Sequence, residues 1–153
     1  MFPFPSPMLL SAPSAASTFD KLSSITVLPT VTHTPGSASY VALKDGGSGG
    51  TPITVTITKA AGTSILIMAS ASIASTGGIA NPMLGVNDGT TDHYVAENRN
   101  FATCDVVLAG MTIISGLGAG TFTIKLRIKL DAANQCNFGV DHSAALMVME
   151  IAP

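Results

Sequence analysis

Residues 121–131, TFTIKLRIKLD, decide the fold class. Phe122, Ile124, Leu126, Ile128 and Leu130 fall on one parity, and Thr121, Thr123, Lys125, Arg127 and Lys129 on the other. A period of two with one apolar and one polar face is the pattern of a half-buried β-strand. The glycine turn GLGAG at 116–120 leads into it. The same grammar extends outward in both directions. PITVTITK at 52–59 alternates Ile53, Val55 and Ile57 with Thr54, Thr56 and Thr58. SASYVALKD at 37–45 reads as a first strand, followed by GGSGG at 46–50 as a flexible turn. Two more strands flank the N-D-G turn at 87–89. CDVVLAGMTII at 104–114, a short NFGVD at 137–141 and AALMVMEIA at 144–152 complete the set. No segment has convincing amphipathic helical periodicity. Short strands at regular spacing predict an all-β antiparallel sandwich or jelly roll of about eight strands.

Two strands do not fit a sandwich that stands alone. SILIMASASIAS at 64–75 places Ile65, Ile67, Ala69, Ala71 and Ile73 on its odd face, yet its even face begins with Leu66 and Met68. ALMVM at 145–149 is apolar on both faces. An antiparallel sandwich turns one face of each sheet to the core and the other to water. With no helix to cover the second face, another copy of the chain is the economical cover. Leu66, Met68, Leu146 and Val148 are the expected contact residues.

Composition supports a partner-covered surface. The chain has 153 residues, enough for one domain with a real core. Charged residues are 10% of it and hydrophobic ones 46%, with aromatics at 5% and no Trp. Ordinary globular proteins carry about 25% charged residues. A net charge of −2 leaves no general footprint for nucleic acid. Lys125, Arg127 and Lys129 form the one basic stripe, without the aromatic platforms that single strands need. It reads as a solvated face or as ion pairing with a neighbouring copy.

The first charge is Asp20, after MFPFPSPMLLSAPSAASTF. A secretion signal needs a basic start and a continuous apolar run, whereas Pro3, Pro5 and Pro7 interrupt any helix here. Residues 60–87 and 106–124 carry no charge, but their glycines and serines read as strands joined by turns rather than membrane spans. Residues 1–24 are therefore expected to be an extended proline-rich arm, ahead of a domain at 25–153. Phe2, Phe4, Met8, Leu9 and Leu10 are its apolar anchors, ordering on a partner.

Chemistry finds little support. GGSGG matches the nucleophile-elbow spacing but precedes a strand, where that motif needs a helix. GLGAGT departs from the dinucleotide fingerprint at Thr121 and also leads into a strand. Asp92, His93, Asp141 and His142 could meet in space, though no metal-ligand spacing is present. Hydrogen-bonded loop histidines are the plainer reading. Cys104 and Cys136 lack CxxC spacing and read as buried thiols, with a single disulfide left open. No enzyme, cofactor or metal is expected.

From SASYVAL to the C-terminus the chain resembles the small TNF-like, complement-type trimeric jelly rolls. The order of strands, GTFTIKLRIKL after its glycine turn and the terminal LMVMEI carry the resemblance. Versions in bacteriophage virion proteins share the Ser/Thr/Gly/Ala-rich texture and the AGT-φ-T-φ-K-φ phrase, φ being apolar. The resemblance implies a homotrimer whose last strand and a long early strand build the threefold contact, with Tyr40 among the contact residues. It also implies a virion structural protein: a capsid decoration or cement protein that docks on the major capsid protein at the shell surface and assembles in the host cytoplasm. A receptor-binding fibre tip recognising a host glycan or protein is the alternative. A fibre tip is normally fed by a stalk, and a short apolar arm after Met1 favours cement. An arm of ~24 residues extends to ~70–80 Å at most.

Overall fold

The computed structural model describes residues 22–29, 38–47, 49–75, 81–99, 105–130 and 136–152. It is all-β, an antiparallel jelly-roll sandwich of ten strands. The strands are β1 (Leu22–Val27), β2 (Val41–Ala42), β3 (Thr54–Lys59), β4 (Ser64–Ser75), β5 (Pro82–Asn87), β6 (Asp92–Glu97), β7 (Asp105–Ile114), β8 (Gly120–Leu130), β9 (Cys136–Asn137) and β10 (Ala144–Ile151). One sheet runs β1-β10-β4-β7, with β9 also on β4. The other runs β2-β8-β5-β6, with β3 also on β8. Setting aside the two-residue β2 and β9, first and last strands pair, and consecutive strands cross between sheets except at the β5–β6 hairpin, the order of a jelly roll.

The core is aliphatic and lies between the sheets. Ile124, Leu126, Ile128 and Leu130 of β8 face Ile65, Ile67 and Ile73 of β4, all of them buried. Among the described residues, Phe138 is the one aromatic with a fully buried side chain. Period-two alternation sets this burial, because successive side chains of a strand leave opposite faces.

Two strands depart from the sequence expectation. The strand expected over 37–45 shrinks to β2. The chain pairs with β8 at Val41 and Ala42, leaves it for the glycine-rich loop, and returns. The Leu43 amide donates to the Leu126 carbonyl at 3.0 Å, and the Leu126 amide to the Ile53 carbonyl at 2.9 Å. Residues 44–52 are thus an excursion closed by a Lys44–Pro52 bridge. In the other departure, β1 begins at Leu22, inside the segment assigned to the arm. Its inward parity offers only Ile25 and Val27, too little apolar alternation to stand out.

Both sheets bury a charge at an inward position. Lys59 follows Ile53, Val55 and Ile57 on their parity and is 2% exposed. Its Nζ donates to the carbonyls of Ala60, Leu117 and Gly118 at 2.9, 2.8 and 3.1 Å. Glu150 follows Leu146 and Val148 and is also buried. Its Oε1 accepts from the Ala60 amide at 2.6 Å and the Thr63 hydroxyl at 2.8 Å. Burying a charge is tolerable only when hydrogen bonds replace its water, and here those bonds tie β3, β10 and two turns together.

The β5–β6 turn is held by Asp88. Its Oδ1 accepts from the Thr90 amide and hydroxyl and from the Thr91 amide, at 2.9, 2.8 and 2.8 Å. Its Oδ2 lies 2.9 Å from His93 Nε2. Gly89 adopts φ 108°, where a side chain would be strained. Burial by itself raises the Asp88 carboxyl, but hydrogen bonds from His93, Thr91 and Thr90 outweigh it and hold the group well below the usual carboxylate range. A depressed native pKa stabilises the fold above the unfolded value of about 4, and that contribution fades as pH falls below it. Asp88→Asn is expected to lower stability at pH 7 by about 1–3 kcal/mol by weakening these bonds. The gap to the wild type should close progressively below about pH 4 in urea titrations at stepped pH; a gap independent of pH would count against the carboxylate's role.

Gly110 of β7 lies close against β6 of the other sheet. A Cβ built there would lie 2.5 Å from the Val95 carbonyl oxygen of β6. Gly110→Ala is expected to cost about 1–3 kcal/mol through this backbone overlap, read as a lowered urea midpoint with an unchanged slope.

Candidate functional site

The outward side of the β1-β10-β4-β7 sheet is the candidate site, and strand register builds it. The pairings align Leu22, Met149, Leu66 and Ile113 across the four strands. The next rung is Ser24, Met147, Met68 and Met111, and the third is Thr26, Ala145, Ser70 and Ala109. None of these twelve residues is charged. Large side chains on this face stand in solvent: Met68 is 43% exposed, Met111 64%, Ile113 57% and Val107 66%. Four of the chain's seven methionines are here. Methionine is unbranched and polarizable, and adapts to the surface it meets. Such an apolar patch on one continuous sheet face marks an interaction surface.

A hollow of about 490 Å3 opens in this face. The methionine rung forms one side of it, and Thr26, Ser70, Ala109 and Ala145 form its small-residue floor.

The structure divides the expected contact residues. Leu66 and Met68 point outward on this face. Leu146 and Val148 do not, which corrects the sequence reading: both are 0% exposed and lie in the sandwich core. Leu146 pairs with Ala69 and Val148 with Ile67, both inward residues of β4. Ala145, Met147 and Met149 take the outward places instead. Because a strand apolar on both faces has no parity signal of its own, only its pairing partner chooses the face. Tyr40 stands elsewhere, on the second sheet. The arm residues Phe2, Phe4, Met8, Leu9 and Leu10 lie outside the described residues.

The second sheet shows water a different surface. Thr56 and Thr123 share a hydrogen bond at 3.2 Å, and Thr58 and Thr121 one at 2.9 Å. The basic stripe is partly engaged within the chain. Arg127 Nη2 donates to the Tyr40 carbonyl, and Lys129 Nζ lies 5.7 Å from the centroid of the Tyr40 ring. The ring lies against Gly85, where a Cβ would come within 2.6 Å of Tyr40 Cε1. Burial, followed by the negative charges of Asp92 and Glu97 and the nearby Tyr94, raises the Tyr40 hydroxyl above its ordinary value.

The paired Asp-His motifs do not converge. His93 meets Asp88, while His142 Nε2 lies 3.4 Å from Asp105 Oδ1. Among the described residues no group of three His, Cys, Asp or Glu side chains is placed to hold a metal. Burial pushes the Cys136 thiol up to about 12, far from the range of a reactive thiolate. Cys104 and His33 lie outside the described residues. No helix among the described residues is long and apolar enough to cross a membrane.

No protein-family model matches the chain, and no curated protein does. Solved structures do. A chain of the infectious bursal disease virus Gx strain matches with a TM-score of 0.58 at 17% identity, over 96% of this chain and 36% of its own. The VP2 subviral particle of infectious bursal disease virus matches with a TM-score of 0.59 at 15% identity, over 96% and 37%. Eiger TNF from S. frugiperda matches with a TM-score of 0.48 at 8% identity, over 83% and 90%. The chain thus spans little more than a third of the two viral chains, and what it shares with them is the jelly-roll fold.

Proposed function

We propose that the chain is a virion structural protein that trimerises through the three uncharged rungs on the outward side of the β1-β10-β4-β7 sheet and decorates or cements a capsid shell at the virion surface. The observation that carries this reading is that face: three successive rungs over four strands without a charge. Burying each exposed Met, Ile or Leu there gains roughly 1.5–3 kcal/mol, against the several kcal/mol of lost freedom that association costs. Its jelly-roll likeness to capsid chains supports a place in a virion. The role is mechanical and asks no catalytic group of the chain.

The arm supplies the second half of the proposal. Of the arm expected over 1–24, the part ahead of β1, residues 1–21, would dock on the major capsid protein or on neighbouring subunits. β1 begins at Leu22, directly on the outermost rung beside Met149, so the arms of a trimer leave from the rim of its contact face. Three arms held together raise the effective concentration of each at the shell. Binding only the assembled shell stabilises it by mass action.

Sedimentation of the full-length protein at several concentrations tests the assembly, with a trimer expected. Met111→Lys, which places a charge at the exposed centre of β7, is expected to reduce the mass to that of one chain while leaving the circular dichroism spectrum unchanged. A monomeric wild type would remove the basis of the proposal. Deleting residues 1–21 spares β1 and is expected to keep the trimer but abolish its co-sedimentation with the capsid shell of its virus. Full shell binding without the arm would rule out the docking role.

A further inference from the structure

We infer that the outward side of the β2-β8-β5-β6 sheet is a binding site for an acidic saccharide, with Tyr94 as its stacking platform. The site lies on the opposite side of the sandwich from the proposed trimer contact and does not depend on that reading. Register builds it in three rungs. Gly85 of β5 pairs with Tyr94 of β6 and with Arg127 of β8, which makes the middle rung. The Tyr40 ring fills the space above Gly85. The chain's two tyrosines, far apart in sequence, thus meet at one place. On one side of them Asn87 stands between Asp92 and Lys125, and on the other Met83 stands between Glu97 and Lys129. Each flanking rung therefore has a carboxylate at its β6 end and an ammonium at its β8 end. The aromatic platform that the β8 stripe lacks in sequence comes from its neighbours in space.

This layout selects the ligand. Tyr94 is 53% exposed, and the electron-rich face of an aromatic ring suits the C–H face of a sugar ring. Acceptors stand along β6 and donors along β8, while the Asn87 amide offers both. Sugar hydroxyls donate and accept, so they can meet either line. Arg127 Nε lies 3.7 Å from Asp92 Oδ1, and Arg99 pairs with Glu97. Lys125 and Lys129 are left without a carboxylate partner among the described residues. The complementary ligand therefore carries its acid group toward β8. An apolar partner would strand these charges away from water. A protein contact gathers aromatics in a core depleted of charge, whereas here ionised side chains surround the tyrosines. A nucleic acid draws its affinity from many neutralised phosphates, which Lys125 and Lys129 beside Asp92 and Glu97 do not supply.

The site carries its own reporter, because the chain has two Tyr and no Trp. Tyrosine emission of the full-length protein is titrated with sialyllactose and trigalacturonate. Lactose and galactotriose are their neutral counterparts, and oligothymidylate is the nucleic-acid control. A saturable change is expected with at least one of the acidic saccharides, about tenfold tighter than with its neutral counterpart. By calorimetry, Tyr94→Ala is expected to weaken that binding about tenfold or more. Lys125→Gln combined with Lys129→Gln is expected to remove the preference for the acidic ligand, and both variants should keep the wild-type circular dichroism spectrum. Should Tyr94→Ala fail to fold, Tyr94→Leu removes the aromatic face while keeping bulk and is read the same way. No response to either acidic saccharide, oligothymidylate binding as tightly as they do, or binding unchanged by loss of the Tyr94 ring would overturn the inference. None of these results bears on the native mass, which tests the trimer reading separately.

Discussion

Pairing of β10 with β4, Met147 opposite Met68, is the constraint on which the remaining features depend. Both strands lie inside their sheet, and both carry apolar side chains in either direction. Their mutual register sends Ile65, Ile67, Leu146 and Val148 into the core and leaves Leu66, Met68, Met147 and Met149 outside. A slip by one residue would exchange these sets and put Glu150 on the open face. Strands without an intrinsic polar side are poorly specified by pattern alone, so this register needs a lock beyond the ladder itself.

Lys59 and Glu150 provide one. Each sits at the end of an inward-facing apolar parity, where a charge is costly unless it is fully bonded. Both converge on the turn after β3: Lys59 Nζ donates to the Ala60 carbonyl, and Glu150 Oε1 accepts from the Ala60 amide. In a slipped register the Glu150 carboxylate would leave that amide and the Thr63 hydroxyl. Hydrophobic burial stabilises several registers about equally, whereas these directed bonds are made in one. The register that exposes the methionine rung is thereby the register in which the buried charges are satisfied.

The two outer surfaces of the sandwich have divided their tasks. The β2-β8-β5-β6 side pairs threonines across its strands and holds Arg127 and Lys129 around Tyr40. The opposite side offers three uncharged rungs across four strands, with a hollow in them. A jelly roll closes its core between two sheets and leaves both outer faces available. Here one face suits water and the other suits protein.

Much of this was legible in the chain itself. Alternation in residues 52–59 and 121–131 determined strands, their inward faces and the sandwich class, since period two has one structural meaning. The doubled apolar character of residues 64–68 and 145–149 determined that their sheet would carry apolar side chains on its outward side as well. Other features were beyond sequence reading. β1 carries only Ile25 and Val27 inward, too weak a signal to separate it from the arm. Lys59 and Glu150 carry no local sign of burial, because most of the carbonyl, amide and hydroxyl partners that satisfy them come from turns far away in the chain. Leu146 and Val148 could face either way, because parity within a strand is local while its assignment to core or surface comes from the strand beside it. Local pattern therefore settled what kind of structure forms, and long-range pairing decided which methionines that structure presents.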